Sequence, residues 1–106
     1  FLVVGLNSDV SVRQLKGSSR PVNGEMDRFQ VLCALRMVDL VVIFDDGTPI
    51  RLIEALQPDI HVKGGDYLAE SLPEYGTVMS YGGSVEIVPL VPGRSTSRLI
   101  DVIRDL

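Results

Sequence analysis

Four short runs rich in apolar and β-branched residues punctuate this chain: Phe1–Leu6, Leu40–Phe44, Asp59–Val62 and Val85–Val88. Each is too short for a helix of ordinary length, and between them apolar residues recur at helical spacing. The first two are apolar almost throughout, the pattern of strands covered on both faces. Strand then helix, repeated, specifies an α/β fold with a parallel sheet and helices on both faces, because neighbouring parallel strands need a crossover and a helix closes it.

The helical segments carry recognisable ends. Asn7-Ser8-Asp9 opens a short helix with Val12 and Leu15 expected inward and Gly17 as its stop. Residues 17–24 form a loop with Pro21 and two glycines, and Glu25 starts a second helix with an apolar stripe of Met26, Phe29, Leu32, Cys33 and Leu35. Thr48-Pro49 pairs an N-cap with proline at the first helical position, and Ile50, Ile53 and Leu56 are expected to face the core until Pro58 blocks the helix. A further helix is expected over Ser71–Tyr81, ended by Gly82-Gly83. Ser95 or Thr96 caps a last one with Leu99, Ile100, Ile103 and Leu106 inward.

A length of 106 residues suits one domain with one core. A net charge of −4 argues against nonspecific nucleic-acid binding, which needs a basic face. No apolar run approaches the roughly 20 residues that span a bilayer. Phe1–Leu6 is apolar but lacks the basic flank and cleavage site of a signal peptide. The chain does not begin with Met, so it is expected to be processed, trimmed or part of something longer. The single cysteine, Cys33, leaves no internal disulfide or thiolate zinc cage, and its apolar surroundings suggest an inert core thiol. A reducing, cytoplasmic location without a membrane partner fits these features.

The chemistry gathers where strands end. Asp59 to Val62 runs into Lys63-Gly64-Gly65-Asp66-Tyr67, a turn with two glycines and one charge of each sign. In open α/β sheets ligands bind just outside the carboxyl ends of the strands, and glycine permits close approach to the backbone. The other polar clusters, Asn7 to Asp9, Lys16 to Arg28 and Arg94 to Ser97, are expected at the same mouth. Lys16, Arg20 and Arg28 surround one glycine-rich loop and suit a polyphosphate or sugar phosphate, since arginine offers a planar fork and lysine a point charge. Gly93-Arg94-Ser95-Thr96-Ser97 places hydroxyls and free N–H groups at a helix start, a ready anion site. Each cluster has a plainer reading too: an ordinary turn, solvated charge, or a helix cap. His61, the only histidine, sits between apolar neighbours and reads as structural. Asp45, Asp46 and Asp66 could hold Mg²⁺ beside phosphates, but their spacing assigns no metal site. The residues alone support an α/β nucleotide or phosphate binder.

Taken together and in order, Asn7-Ser8-Asp9, Leu15-Lys16-Gly17, Arg20-Pro21-Val22, Asp27-Arg28, Val62 to Tyr67 and Gly93 to Ser97 resemble the cytidylyltransferase-like nucleotidyltransferase family over nearly the whole chain. The likeness is greatest to domains that adenylylate heptose 1-phosphate in lipopolysaccharide precursor synthesis. The resemblance implies a Rossmann-like domain over residues 1–106. Such a domain joins a nucleoside monophosphate from ATP to a sugar phosphate, with release of pyrophosphate and usually with Mg²⁺. It implies that Lys16 and Arg28 hold triphosphate oxygens during catalysis, with Arg20 at the same loop. Gly64, Gly65 and Asp66 would line the nucleotide pocket, and Ser95, Thr96 and Ser97 would grip nucleotide phosphates. Asn7, Asp9, Arg20 and Lys63 would serve the substrate. A homodimer and an upstream fused sugar kinase domain are compatible with it.

Two departures stand out. The family's His-x-Gly-His motif is absent, and Phe1–Leu6 matches its second strand, so the first strand and catalytic loop are expected to lie outside these residues, which alone should be inactive. The usual Ser-Thr-Thr run reads Ser95-Thr96-Ser97, and Arg94 stands where an apolar, Cys or Tyr residue is commoner. ATP is expected over CTP, because the mouth resembles adenylyltransferase members and Leu90 stands where many cytidylyltransferases carry Arg. Gly65 is expected to leave room for the purine. The alternatives are a cytidylyltransferase using CTP, a noncatalytic nucleotide-binding or regulatory module, and a flavodoxin-like or receiver-like interaction domain. Against the last, this chain lacks a suitable acidic cluster at a first strand end.

Overall fold

A computed structural model describes residues 1–17, 24–89 and 103. The chain divides into two compact units, Phe1–Leu56 and Gln57–Leu106. Both are α/β with parallel strands, as the alternation of runs predicts.

In the first unit, β1 (Val3–Asn7) pairs in parallel with β2 (Leu40–Phe44), Val3 opposite Leu40 and Asn7 opposite Phe44. Helices α1 (Asp9–Lys16) and α2 (Glu25–Cys33) form the crossover, and α3 (Ile50–Leu56) follows β2. Gly5 has a packing reason: a Cβ there would meet Leu52 Cδ2 at 3.2 Å and Phe44 Cε1 at 3.3 Å, so its bare backbone admits both side chains onto β1. Among the described residues, Leu6, Val41 and Ile53 are the buried apolar ones of this unit. Ser8 caps α1, its hydroxyl accepting from the Ser11 N–H at 3.2 Å, while the Ser11 hydroxyl donates to the Ser8 carbonyl at 3.0 Å. Both serines are buried, and this reciprocal bonding is what lets them be. Helix α3 opens with the Ile53 N–H donating to the Pro49 carbonyl at 2.9 Å. After it comes Gln57 at φ 46°, a left-handed residue where glycine or asparagine is usual, and then Pro58.

In the second unit, β3 (Ile60–Gly64) pairs in parallel with β4 (Ser84–Val88), Ile60 opposite Ser84 and Gly64 opposite Val88. The crossover is a 3-10 turn (Ala69–Ser71) and α4 (Tyr75–Ser80). The sequence pattern predicts one helix over 71–81; the structure breaks it at Leu72, which is extended at ψ 137°. Leu72 precedes Pro73, whose ring pushes the residue before it out of the helical region. Among the described residues, Leu72 and Val78 are the buried apolar ones here.

Several inward placements are corrected. Leu15 is 58% exposed, and Met26, Leu35 and Leu56 are also exposed. Cys33 is exposed, not a core thiol. On α1 the buried residue is Ser11, not Leu15. Among the described residues no helix is long and apolar enough to cross a membrane.

Candidate functional site

The first cluster lies at the carboxyl end of β1. Asn7 is the last residue of the strand, the Ser8 N–H donates to the Phe44 carbonyl at 2.9 Å, and Asp9 is the first residue of α1. Two residues from the first turn of α2 reach back to Asp9. The Asp9 backbone N–H donates to Glu25 Oε1 at 3.0 Å, and Arg28 Nη2 donates to Asp9 Oδ1 at 3.1 Å. The Asp9 and Arg28 side chains are both partly buried, so this ion pair is less screened than a surface pair. The structure thus brings together two residues assigned separately from the sequence, and adds Glu25, which the sequence reading used only as a helix start. Lys16 is the exposed last residue of α1, before Gly17 at φ 95°. Arg20 lies outside the described residues.

The second cluster lies at the carboxyl end of β3. Lys63 and Gly64 end the strand, and Gly65 turns at φ 133°, a conformation open to glycine. The Tyr67 ring folds back over this turn. A Cβ on Gly65 would sit 2.6 Å from Tyr67 Cε2, and Lys63 Nζ lies 5.3 Å from the ring centroid. That is a cation–π contact, worth about 0.5–1 kcal/mol at an exposed site. The expected room above Gly65 is therefore taken by Tyr67, and the Gly65 N–H is spent on the Val88 carbonyl at 2.9 Å. Gly64 is the open glycine, with nothing within 4 Å of the position a Cβ would occupy. Asp66 is exposed. Ser95, Thr96 and Ser97 lie outside the described residues.

His61 has a structural partner, as its apolar surroundings suggested. Its Nε2 lies 3.0 Å from Glu74 Oε2, and Glu74 is only 2% exposed. No sequence signal points to this pair, because the two residues are 13 apart and Glu74 precedes α4 in a stretch that reads as helical. Nearby in the same unit, the Tyr81 hydroxyl donates to the Pro58 carbonyl at 2.8 Å. Its phenol is held above the ordinary value by desolvation first and by the Asp59 charge second. Asp46 forms an exposed ion pair with Arg51 at 3.5 Å. Among the described residues no three His, Cys, Asp or Glu side chains come together as a metal site.

Both clusters occupy the carboxyl edge of a parallel strand pair, the edge where α/β sheets bind ligands. A family model described as cytidylyltransferase-like matches residues 1–101, and the chain belongs to that nucleotidyltransferase family. It is 58% identical over 104 residues to a protein of Geotalea uraniireducens named bifunctional protein HldE, a match covering 98% of this chain and 21% of that protein. Proteins of the same name from Syntrophotalea carbinolica and Koribacter versatilis are 54% and 56% identical, over 99% and 94% of this chain and 21% of each relative. The chain spans about a fifth of the length of these curated relatives.

Proposed function

We propose that this chain is part of an adenylyltransferase that transfers the AMP moiety of ATP to a sugar phosphate, heptose 1-phosphate being the favoured acceptor, with release of pyrophosphate. The acceptor phosphate oxygen bonds to the α-phosphorus as the bond to the pyrophosphate oxygen breaks. The protein's contribution is positioning and charge stabilisation. Lys16, Arg20 and Arg28 would hold triphosphate oxygens. Gly64, Gly65 and Asp66 would line the nucleotide pocket, and Ser95, Thr96 and Ser97 would bind nucleotide phosphates. Asn7, Asp9 and Lys63 would serve the substrate. The observation that carries this reading is the family match together with candidate residues at the carboxyl edges of both strand pairs.

The strand pairing supports reading β1 as the second strand of a Rossmann-like sheet. In the order 3-2-1-4-5-6 the second and third strands are neighbours, and so are the fourth and fifth. Here β1 pairs with β2 and β3 with β4. On this reading the His-x-Gly-His segment comes from elsewhere in a longer, cytoplasmic protein that also carries a sugar kinase domain, and residues 1–106 alone release no pyrophosphate. The described residues do not fit a dedicated cation cage. Mg²⁺ would arrive with the triphosphate instead, since it commonly keeps few protein ligands.

The test is a competition assay on the full-length protein with heptose 1-phosphate and equal ATP and CTP. ADP-heptose and pyrophosphate are the expected products. A preference for CTP overturns the choice of nucleotide, and no nucleotide transfer at all overturns the activity.

A further inference from the structure

We infer that Glu25 is a positioning residue that holds Arg28 in its working geometry by way of Asp9; this rests on Arg28 acting at the triphosphate, as proposed above. Glu25 and Arg28 stand three apart in the first turn of α2, on one helix face. Both reach the same residue of α1. Glu25 takes the backbone N–H of Asp9 at 3.0 Å, and Asp9 takes the Arg28 guanidinium at 3.1 Å. The result is a closed circuit: α2 grips Asp9 once by its backbone and once by its carboxylate.

Part of the role of Glu25 is capping: the buried Ser8 hydroxyl answers only the Ser11 N–H of the first turn of α1, and Glu25 answers the Asp9 N–H. Beyond that, Glu25 anchors a residue that orients Arg28. The Asp9–Glu25 bond ties α1 to α2 at a fixed distance and direction. A free arginine side chain carries much rotamer entropy, and a guanidinium fixed before phosphate arrives loses less of it on binding. Stabilisation of charge at phosphorus depends on donors set in place beforehand. Glu25 therefore acts on the chemical step through the direction of Arg28, without contact to the nucleotide.

The experiment measures steady-state pyrophosphate release by the full-length protein with ATP and heptose 1-phosphate. Glu25→Gln keeps an acceptor oxygen at the same reach and is expected to stay within about threefold of the parent kcat. Glu25→Asp keeps the charge but withdraws the oxygen by one methylene, and is expected to lose about tenfold in kcat with KM for ATP changed less than twofold. Adding Glu25→Asp to Arg28→Ala should cost nothing further, because the group it positions is gone. Parental kcat in Glu25→Asp, or the full tenfold loss repeated in the Arg28→Ala background, overturns the positioning role while leaving the transferase reading intact. A low kcat in Glu25→Gln with a normal one in Glu25→Asp overturns it too, since charge rather than reach would then be what matters. An unsubstituted full-length protein that releases no pyrophosphate overturns the transferase reading and this inference together.

Discussion

The two strand ends that carry the candidate residues are held by different physics. At the end of β1, order comes from polar bonds: the Ser8 cap, the Glu25 contact to the Asp9 backbone and the Asp9–Arg28 ion pair. At the end of β3, it comes from shape: a tyrosine ring seated on a glycine, with a lysine over its face. A polar bond can be exchanged for one to a ligand at little net cost, whereas a ring on a glycine fails at once if the glycine gains a side chain. The first arrangement suits donors held in place ahead of an incoming anion. The second suits a rigid wall.

The largest expected effect lies in the second unit. His61→Ala leaves the buried Glu74 carboxyl without its hydrogen-bond partner, and should cost about 3 kcal/mol in chemical denaturation of the full-length protein. A cost below ~1 kcal/mol would show that the site relaxes or admits water. Next comes Gly65→Ala. The methyl would overlap the Tyr67 ring, and φ 133° strains any residue with a Cβ, so a loss of about 2 kcal/mol is expected. Restoration by Gly65→Ala with Tyr67→Ser would assign the loss to the ring, while an undiminished loss in the pair would assign it to the backbone alone.

The polar cluster should be softer. Ser8→Ala removes the α1 cap and leaves Ser11 with an unanswered N–H, for about 1 kcal/mol in the same measurement. Asp9→Asn weakens a partly exposed pair and is expected to cost roughly 0.5 kcal/mol at low salt and less at high salt. If the Asp9 effect proved as large as that of Gly65 and insensitive to salt, the contrast between the two ends would collapse.

The smallest effect is on pH dependence. The Tyr81 phenol is raised in the folded state, so the fold keeps that proton after the unfolded chain has released it. The associated stability is fully present below the ordinary tyrosine value near 10 and is lost as pH rises through the higher folded value. Tyr81→Phe should flatten the fall in stability above about pH 10, read from denaturation midpoints at a series of pH values. An unchanged slope would remove Tyr81 from the alkaline titration.

Local chemistry was enough to place much of this molecule from its sequence. The β-branched runs become strands because no helix of useful length fits between their flanking turns, and β2 matches its run residue for residue. Gly17 and Pro58 stop helices for reasons contained in their own backbones. The ordered motifs are enough to point to the family. Nearest-neighbour reading could not decide which faces are covered. Pro73 interrupts its helix by a local effect, whereas the exposure of Leu15 and the burial of Ser11 emerge only in the folded chain.

The side-chain pairings belong to tertiary structure alone. Asp9 and Arg28 are 19 residues apart, and His61 and Glu74 are 13 apart. Nothing in either segment specifies the distance or direction of its partner. Likewise Gly65 reads in the sequence as open space, and only the folded turn shows that Tyr67 fills it. Backbone propensity is a property of neighbouring residues and can be read along the chain. A contact between distant side chains depends on how the elements pack, and packing is settled only when the whole set of burial and hydrogen-bond demands is met together.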